Sequence, residues 1–287
     1  MANLKNLSER IKSVTSIQQV TKAMKMVAAA KVKKAQEKME ISRPYSKSTQ
    51  DLICRILPQI SVSDISLVEK RNVKNTGIIV ITSDRGFAGS FNSSVIRLAE
   101  KEIEKLGKDS VQLFCLGKKA SEYFSKRDFN VKESHFDFWK DMNYDTASNI
   151  SSSFINSFEN NEIDEVHVIY NRFRTLASQD LIIEKVLPVD FTADYNGTNY
   201  NYNYDYEPGQ KEIVSTLIPK HINVQMWQQL LESYSSEEAA RMVAMDNATE
   251  NAKEIIKELK LEFNKARQAA ITTEMLEIVG GAEALVD

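Results

Sequence analysis

Cysteine is nearly missing from this sequence. Cys54 and Cys115 are the only two in 287 residues, which excludes a disulfide framework and suits a reducing compartment. Both sit among apolar neighbours and read as ordinary buried thiols. Nine Gly and five Pro are too few for a loop-rich all-β protein and suit long helices. No apolar run is long enough to span a bilayer. The N-terminus lacks the apolar core of a secretory signal. Its basic, acid-poor start faintly resembles a transit peptide, yet the pattern runs unbroken into a long helix and reads as mature structure. No sign of charge dominates: 37 Lys and Arg stand against 40 Asp and Glu, a net charge of −3, which argues against nucleic-acid binding. His135, His167 and His221 are too scattered for a metal motif.

Charge is nonetheless distributed unevenly. Residues 1–40 carry nine basic and three acidic side chains, and residues 210–287 carry eight and thirteen. Such arms can attract one another, meet different partners, or present solvated helix faces; an exposed pair contributes only tenths of a kcal/mol.

Neither Gly nor Pro occurs between Asn3 and Arg43. Leu4, Leu7, Ile11 and Val14 step by three and four, and Ile17, Val20, Met24 and Val27 continue after one slip. This predicts a coiled-coil seam with a local change of phase on a helix roughly 60 Å long. A second stretch free of both residues runs from Lys220 to Val279. There Met245, Ala248, Ala252, Ile255, Leu259, Phe263 and Ala266 repeat by threes and fours. Alone, each helix would expose its seam to water, so the two ends of the chain are expected to pack together. Ala23 and the run Ala28–Ala30 would permit close approach, or merely favour helix.

The middle has another texture. Thr76–Thr82 reads as a buried strand, Ser83–Gly89 as a loop and Asn92–Leu106 as an amphipathic helix. Val111–Leu116 is a strand, Lys118–Ser125 and Ser148–Phe158 are helices, and Val166–Tyr170 and Leu181–Val186 are strands. The alternation predicts a mostly parallel, Rossmann-like sheet with helices on its faces. The expected architecture is therefore an α/β domain inserted between two long helices that form an antiparallel coiled coil. The expected divisions are 1–57, 72–209 and 210–287. The Asn/Tyr-rich stretch 194–206 reads as an exposed loop or edge ribbon.

Ser83–Gly89 lies after a strand and before a helix, where phosphates often bind. It matches neither the dinucleotide fingerprint nor the P-loop, and a tight turn or a protein contact fits it better. Asp84 and Arg85 are read as a partner contact rather than a catalytic pair. No nucleophile elbow occurs, so no catalytic residue, cofactor or metal is expected.

Thr21-Lys-Ala-Met-Lys-Met-Val-Ala28, Ser42-Arg-Pro-Tyr45, Ile81-Thr-Ser-Asp-Arg-Gly86 with Gly89 and Asn92, Ala239–Asp246 and Asn264–Thr272 resemble segments of the gamma subunit of F-type ATP synthases. Glu274, Glu277, Gly281 and Ala282 complete the likeness, which covers essentially the whole chain in order. It implies a non-catalytic rotor shaft that couples proton-driven rotation of a membrane ring to the catalytic beta subunits. The implied partners are the alpha and beta subunits, the epsilon subunit and the membrane c-ring, one copy of the chain per complex, at the cytoplasmic face of a bacterial plasma membrane. Carried onto this sequence, the alpha/beta ring contacts would be Met24, Lys25, Asp84, Arg85, Arg267, Gln268 and Thr272. Lys31, Lys33 and Lys34 would join Lys25 in facing an acidic lever segment of the beta subunits. Ala269–Leu285 would form a greasy bearing. Arg43, Tyr45, Tyr206 and Glu207 would meet the membrane ring at the foot, where Ser42–Tyr45 ends the first helix. The plastid-type regulatory insertion with its cysteine pair is absent. Two rivals are a coiled-coil adaptor without a rotary role and a small α/β enzyme using the Ser83–Gly89 loop.

Overall fold

A computed structural model of the chain describes residues 2–57, 65–190, 206–207 and 209–283. The elements are α1 (Ala2–Ile56), β1 (Thr76–Ile81), α2 (Phe91–Leu106), β2 (Val111–Leu116), α3 (Lys118–Ser125), β3 (Val131–His135), α4 (Tyr144–Glu159), β4 (Glu165–Phe173), β5 (Gln179–Leu187) and α5 (Gln210–Glu283). Two compact units result, one of residues 29–240 and one of 1–28 with 241–287.

The larger unit is built on a five-stranded sheet of order β3-β2-β1-β4-β5. β1 lies at its centre, parallel to β2 and β4, β3 is parallel to β2, and β5 returns antiparallel to β4. All six residues of β1 are buried, which is why Gly77–Ile81 is an unbroken apolar run. Successive side chains point to opposite faces. Ile79 and Ile81 join α4, Ile53 and Ile56 of α1, and Val214, Ile218, Ile222, Met226 and Leu230 of α5. Ile78 and Val80 join Val95, Ala99 and Ile103 of α2 and Ala120 and Phe124 of α3.

Four expectations are corrected. α1 does not end at Ser42–Tyr45 but continues through Pro44 to Ile56. A proline inside a helix costs about 3 kcal/mol, and burial of Ile53 and Ile56 beyond it offsets that through about 1.5–3 kcal/mol per large apolar side chain. β3 is an additional strand with only one apolar residue, Val131, because an edge strand can leave much of itself to water. α4 starts at Tyr144, four residues before the expected Ser148, where Asn143 and Thr146 form a capping box. The turn it adds is thus announced by a polar cap rather than by apolar periodicity.

The fourth correction concerns the coil. Within the smaller unit, Thr21 and Thr249 share a hydrogen bond of 2.8 Å and Lys25 pairs with Asp246 at 2.5 Å. Numbers rise along α1 as they fall along α5, so the helices run antiparallel. On α1 the inward positions are Leu4, Leu7, Ile11, Val14, Gln18, Thr21, Met24 with Lys25, and Ala28. That is an unbroken alternation of three and four with no slip of phase. Ile17, Val20 and Val27, expected in the seam, are exposed; the seam instead passes through polar Gln18 and Thr21, which apolar counting skips. On α5 it runs through Met245, Thr249, Ala252, Ile256, Leu259, Phe263, Ala266 and Ala270, and Ile255 faces solvent.

Candidate partner-contact surfaces

Extending the register set by Thr21–Thr249 places Leu4 level with Ala266. Beyond about residue 270 no described residue of α1 stands level with α5. Residues 271–279 are all exposed, among them Ile271, Met275, Leu276, Ile278 and Val279. Apolar side chains pointing outward on every side are what a helix shows when its burial comes from elsewhere. Arg267 and Gln268 are exposed just where the coil ends. Thr272 is also exposed, but its hydroxyl already donates to the Gln268 carbonyl at 2.9 Å.

The four lysines of α1 fall into different positions. Lys25 is held by Asp246, and Lys31, in the larger unit, by Glu238 at 2.9 Å. Lys33 lies 4.0 Å from Glu37 on its own helix. Lys34 is exposed. Met24 is half-buried at the seam, so little of it is left for a partner.

The loop after β1 is held by side-chain bonds. Asn92 Oδ1 accepts from the Ser83 N–H at 2.9 Å, and Asn92 Nδ2 donates to Ser83 Oγ at 2.8 Å. Asp84 faces inward: one carboxylate oxygen accepts from the Lys118 N–H at 2.8 Å and the other from the Asp137 N–H at 2.9 Å. It ties three loops at the C-terminal end of the sheet. Arg85 points outward. Phe87, which sequence reasoning passed over, is 76% exposed at a backbone φ of +62°. A bulky residue rarely adopts that conformation without a reason; the signal in the sequence was an aromatic between Gly86 and Gly89. Asp84→Ala is expected to lower the stability of the larger unit by about 2 kcal/mol, from two charge-assisted bonds lost at a half-exposed site. A thermal melt measures it; an unchanged melt with impaired assembly would make Asp84 a direct partner contact.

At the expected foot, Arg43 and Tyr45 are exposed. Tyr45 lines an open cleft of about 440 Å³ with Ser42, Tyr144, Lys220, Val224 and Trp227. The exposed apolar residues Ile41 and Leu52 share the Tyr45 side of α1 by helical spacing; sequence reasoning missed both. Burial pushes the carboxyl of Glu232 up, against Arg172 and, more weakly, Arg43, which draw it down. Tyr206 packs against the core while Glu207 is exposed. The rest of the 194–206 stretch and Pro208 lie outside the described residues. Among the described residues no group of His, Cys, Asp and Glu could hold a metal ion, and no helix is long and apolar enough to cross a membrane.

Comparison with known proteins matches residues 3–285 to the family model described as ATP synthase. The chain is 41% identical to the ATP synthase gamma chain of Prosthecochloris aestuarii, over 99% of both chains. It is 40% identical to that of Geotalea daltonii, again over 99% of both. Among solved structures it resembles a chain of the Tetrahymena thermophila mitochondrial ATP synthase central stalk and c-ring. There the TM-score is 0.62 at 26% identity, over 80% of this chain and 99% of the other. A chain of the Euglena gracilis mitochondrial ATP synthase shares the fold with a TM-score of 0.70 at 20% identity, over 99% of this chain and 95% of the other.

Proposed function

Because the chain belongs to the ATP synthase gamma-chain family, we propose that it is the rotating central-stalk subunit of an F-type ATP synthase. It couples proton-driven rotation of a membrane ring to the catalytic beta subunits, and itself carries no catalytic site. One feature supports this above the others: residues 271–279 of α5 are all exposed, Ile271, Met275, Leu276, Ile278 and Val279 among them. A helix end with no fixed polar partners can turn within a ring, because dispersion and hydrophobic contacts are non-directional.

The mechanism follows from asymmetry. A pair of unlike helices presents different side chains at each angle, so each surrounding beta subunit meets a different face. Turning the pair shifts every catalytic site between states that bind and states that release nucleotide, a population shift driven by mechanical work. Arg267 and Gln268 supply polar grip at certain angles. Arg85 and Phe87 on the loop after β1 contact the alpha/beta ring, as does Lys34. Arg43, Tyr45 and Glu207 meet the membrane c-ring and epsilon subunit, with one copy of the chain per complex. The complex sits peripherally at the cytoplasmic face of a bacterial plasma membrane.

The test is expression of the full chain with the alpha, beta, epsilon and membrane subunits of a related synthase, followed by purification from membranes. The chain should be recovered with the ring, and the complex should hydrolyse ATP and pump protons. The double variant Arg43→Ala/Tyr45→Ala should wash off membranes in salt while hydrolysis by the released complex survives. A chain that is never recovered with the ring would defeat the reading. Normal pumping by the double variant would remove those two residues from the foot contact.

A further inference from the structure

Within the larger unit, α5 meets the β4–β5 hairpin through polar side chains. Gln225, Gln229, Glu232 and Ser236 recur by fours and threes and so share one side of the helix. Ser236 donates to the Asn171 carbonyl of β4 at 3.0 Å, and Gln225 to Glu184 of β5 at 3.0 Å. Between them Glu232 approaches Arg172 of β4. One guanidinium thus serves two carboxylates, 3.3 Å from Glu184 Oε2 and 3.4 Å from Glu232 Oε2.

The two carboxylates are unequal. Glu184 accepts from the Tyr170 hydroxyl at 2.8 Å, from Arg172 at 3.3 Å and from Gln225 at 3.0 Å. Burial, joined by the charges of Glu184 and Glu232, pushes the Tyr170 phenol up, so it remains a donor. Three donors favour the ionised form of Glu184. Glu232 Oε2 is buried, and its approach to Arg172 Nε is an ion pair without hydrogen-bond geometry. Arg43 of α1 draws on it at longer range. On α5 itself, Gln228, Gln229, Ser235 and Ser236, three and four residues away, are uncharged. Gln229 is buried, with neither atom of its carboxamide bonded among the described residues. An ionised carboxylate can only accept from that group, whereas a carboxylic acid can also donate to its oxygen.

We propose that Glu184, Arg172 and Glu232 form a proton-linked clamp between α5 and the β4–β5 hairpin, with Glu232 Oε2 the atom that takes up the proton. The proton comes from water, to which the Glu232 side chain is 26% exposed. An O–H bond forms, Glu232 becomes neutral, and Arg172 is left to Glu184 alone. Burial holds the Glu232 carboxyl up in the folded chain and is lost on unfolding, so the folded chain binds this proton more tightly. Stability is therefore gained as pH falls from neutral toward the ordinary carboxylate range, and lost as pH rises. The proposal goes beyond the rotor reading and does not depend on it, since its test needs no partner.

The full chain is melted between about pH 8 and about pH 5, beside Glu232→Gln, which is neutral throughout. Histidines titrate in this range in both chains, so the difference between the two curves belongs to Glu232. The unaltered chain should melt on the order of 3 °C below Glu232→Gln at the alkaline end and approach it at the acid end. Carboxyl carbon-13 resonances of labelled glutamate identify Glu232 by its loss in that variant and follow its titration directly. The midpoint should lie above the ordinary carboxylate range. Glu184→Gln frees Arg172 for Glu232 and should move the midpoint down, whereas Arg172→Met should move it up. Should Arg172→Met fail to fold, the exposed Arg43→Met takes its place, and the midpoint must again move up. A flat difference curve, a midpoint within the ordinary carboxylate range, or shifts of the opposite sense in these variants overturn the proposal.

Discussion

Alanine at position 117 should unfold the larger unit about 10 °C below the unaltered chain. Gly117 links β2 to α3 at a backbone φ of +95°, and an added Cβ would overlap the Thr82 carbonyl. Neither side can yield easily. The Gly117 N–H donates to the His135 carbonyl at 2.7 Å, and the Thr82 N–H to the Leu116 carbonyl at 2.7 Å. Thr82 Oγ1 also accepts from the Ala120 N–H at 2.9 Å. A backbone at φ +95° and ψ +145° costs a residue with a Cβ on the order of 1–3 kcal/mol. A clash between fixed main-chain atoms brings the total to about 4 kcal/mol, among the larger effects of single substitutions. For a unit of this size that corresponds to about 2–4 °C per kcal/mol. Fluorescence of Trp139 and Trp227 during heating reads the transition. Gly86→Ala is the control: no atom lies within 4 Å of its added Cβ, and its melt should stay within about 2 °C of the unaltered chain. Equal melts for the two variants would mean that the β1–β2 end is pliant.

Replacing Arg267 and Gln268 together by Ala should cut ATP turnover of the assembled complex about tenfold without reducing the amount of chain recovered in it. Both side chains are exposed where α5 leaves α1 behind, so their removal leaves the coil's packing untouched. Hydrogen bonds to charged groups contribute about 1.5–3 kcal/mol, and 1.4 kcal/mol is tenfold in a rate or equilibrium. Thr272→Ala should have the smaller effect, because its hydroxyl is already engaged with the Gln268 carbonyl. Turnover in the double variant equal to that of the unaltered complex would show that the polar grip lies elsewhere. Loss of the chain from the complex would show that these residues assemble rather than grip.

The central strand and the two long helices were legible because each rests on apolar periodicity, whereas the antiparallel coil was implied by the family resemblance. Ile78–Ile81 reads as a strand buried on both faces, and Leu259, Phe263 and Ala266 point inward as their spacing requires. What escaped notice was held by polar chemistry. Gln18 and Thr21 occupy seam positions that a count of apolar residues assigns to Ile17 and Val20. The strand β3 reads as Val-Lys-Glu-Ser-His because it pairs on one side only. Asp84 looks like half of an exposed charge pair, yet both its oxygens bind backbone N–H groups that only the folded chain brings near. Lys25 looks available for the same reason, since its partner lies more than two hundred residues away in sequence. Over 271–279 the apolar character is legible as composition, whereas its exposure is seen only in the folded chain.

Cys115 sits in β2 with no solvent access, and burial pushes its thiol up to about 12. At neutral pH its thiolate is then on the order of one part in 10⁵, and the thiolate is the form that reacts with alkylating reagents and disulfides. Cys54 is buried as well. In the native chain Cys115 is shielded and Cys54 is largely so, so a label introduced on an outer helix face reports that position with little background. Conversely, slow labelling of Cys115 itself times the opening of the central sheet, because nothing short of that opening brings reagent to its sulfur.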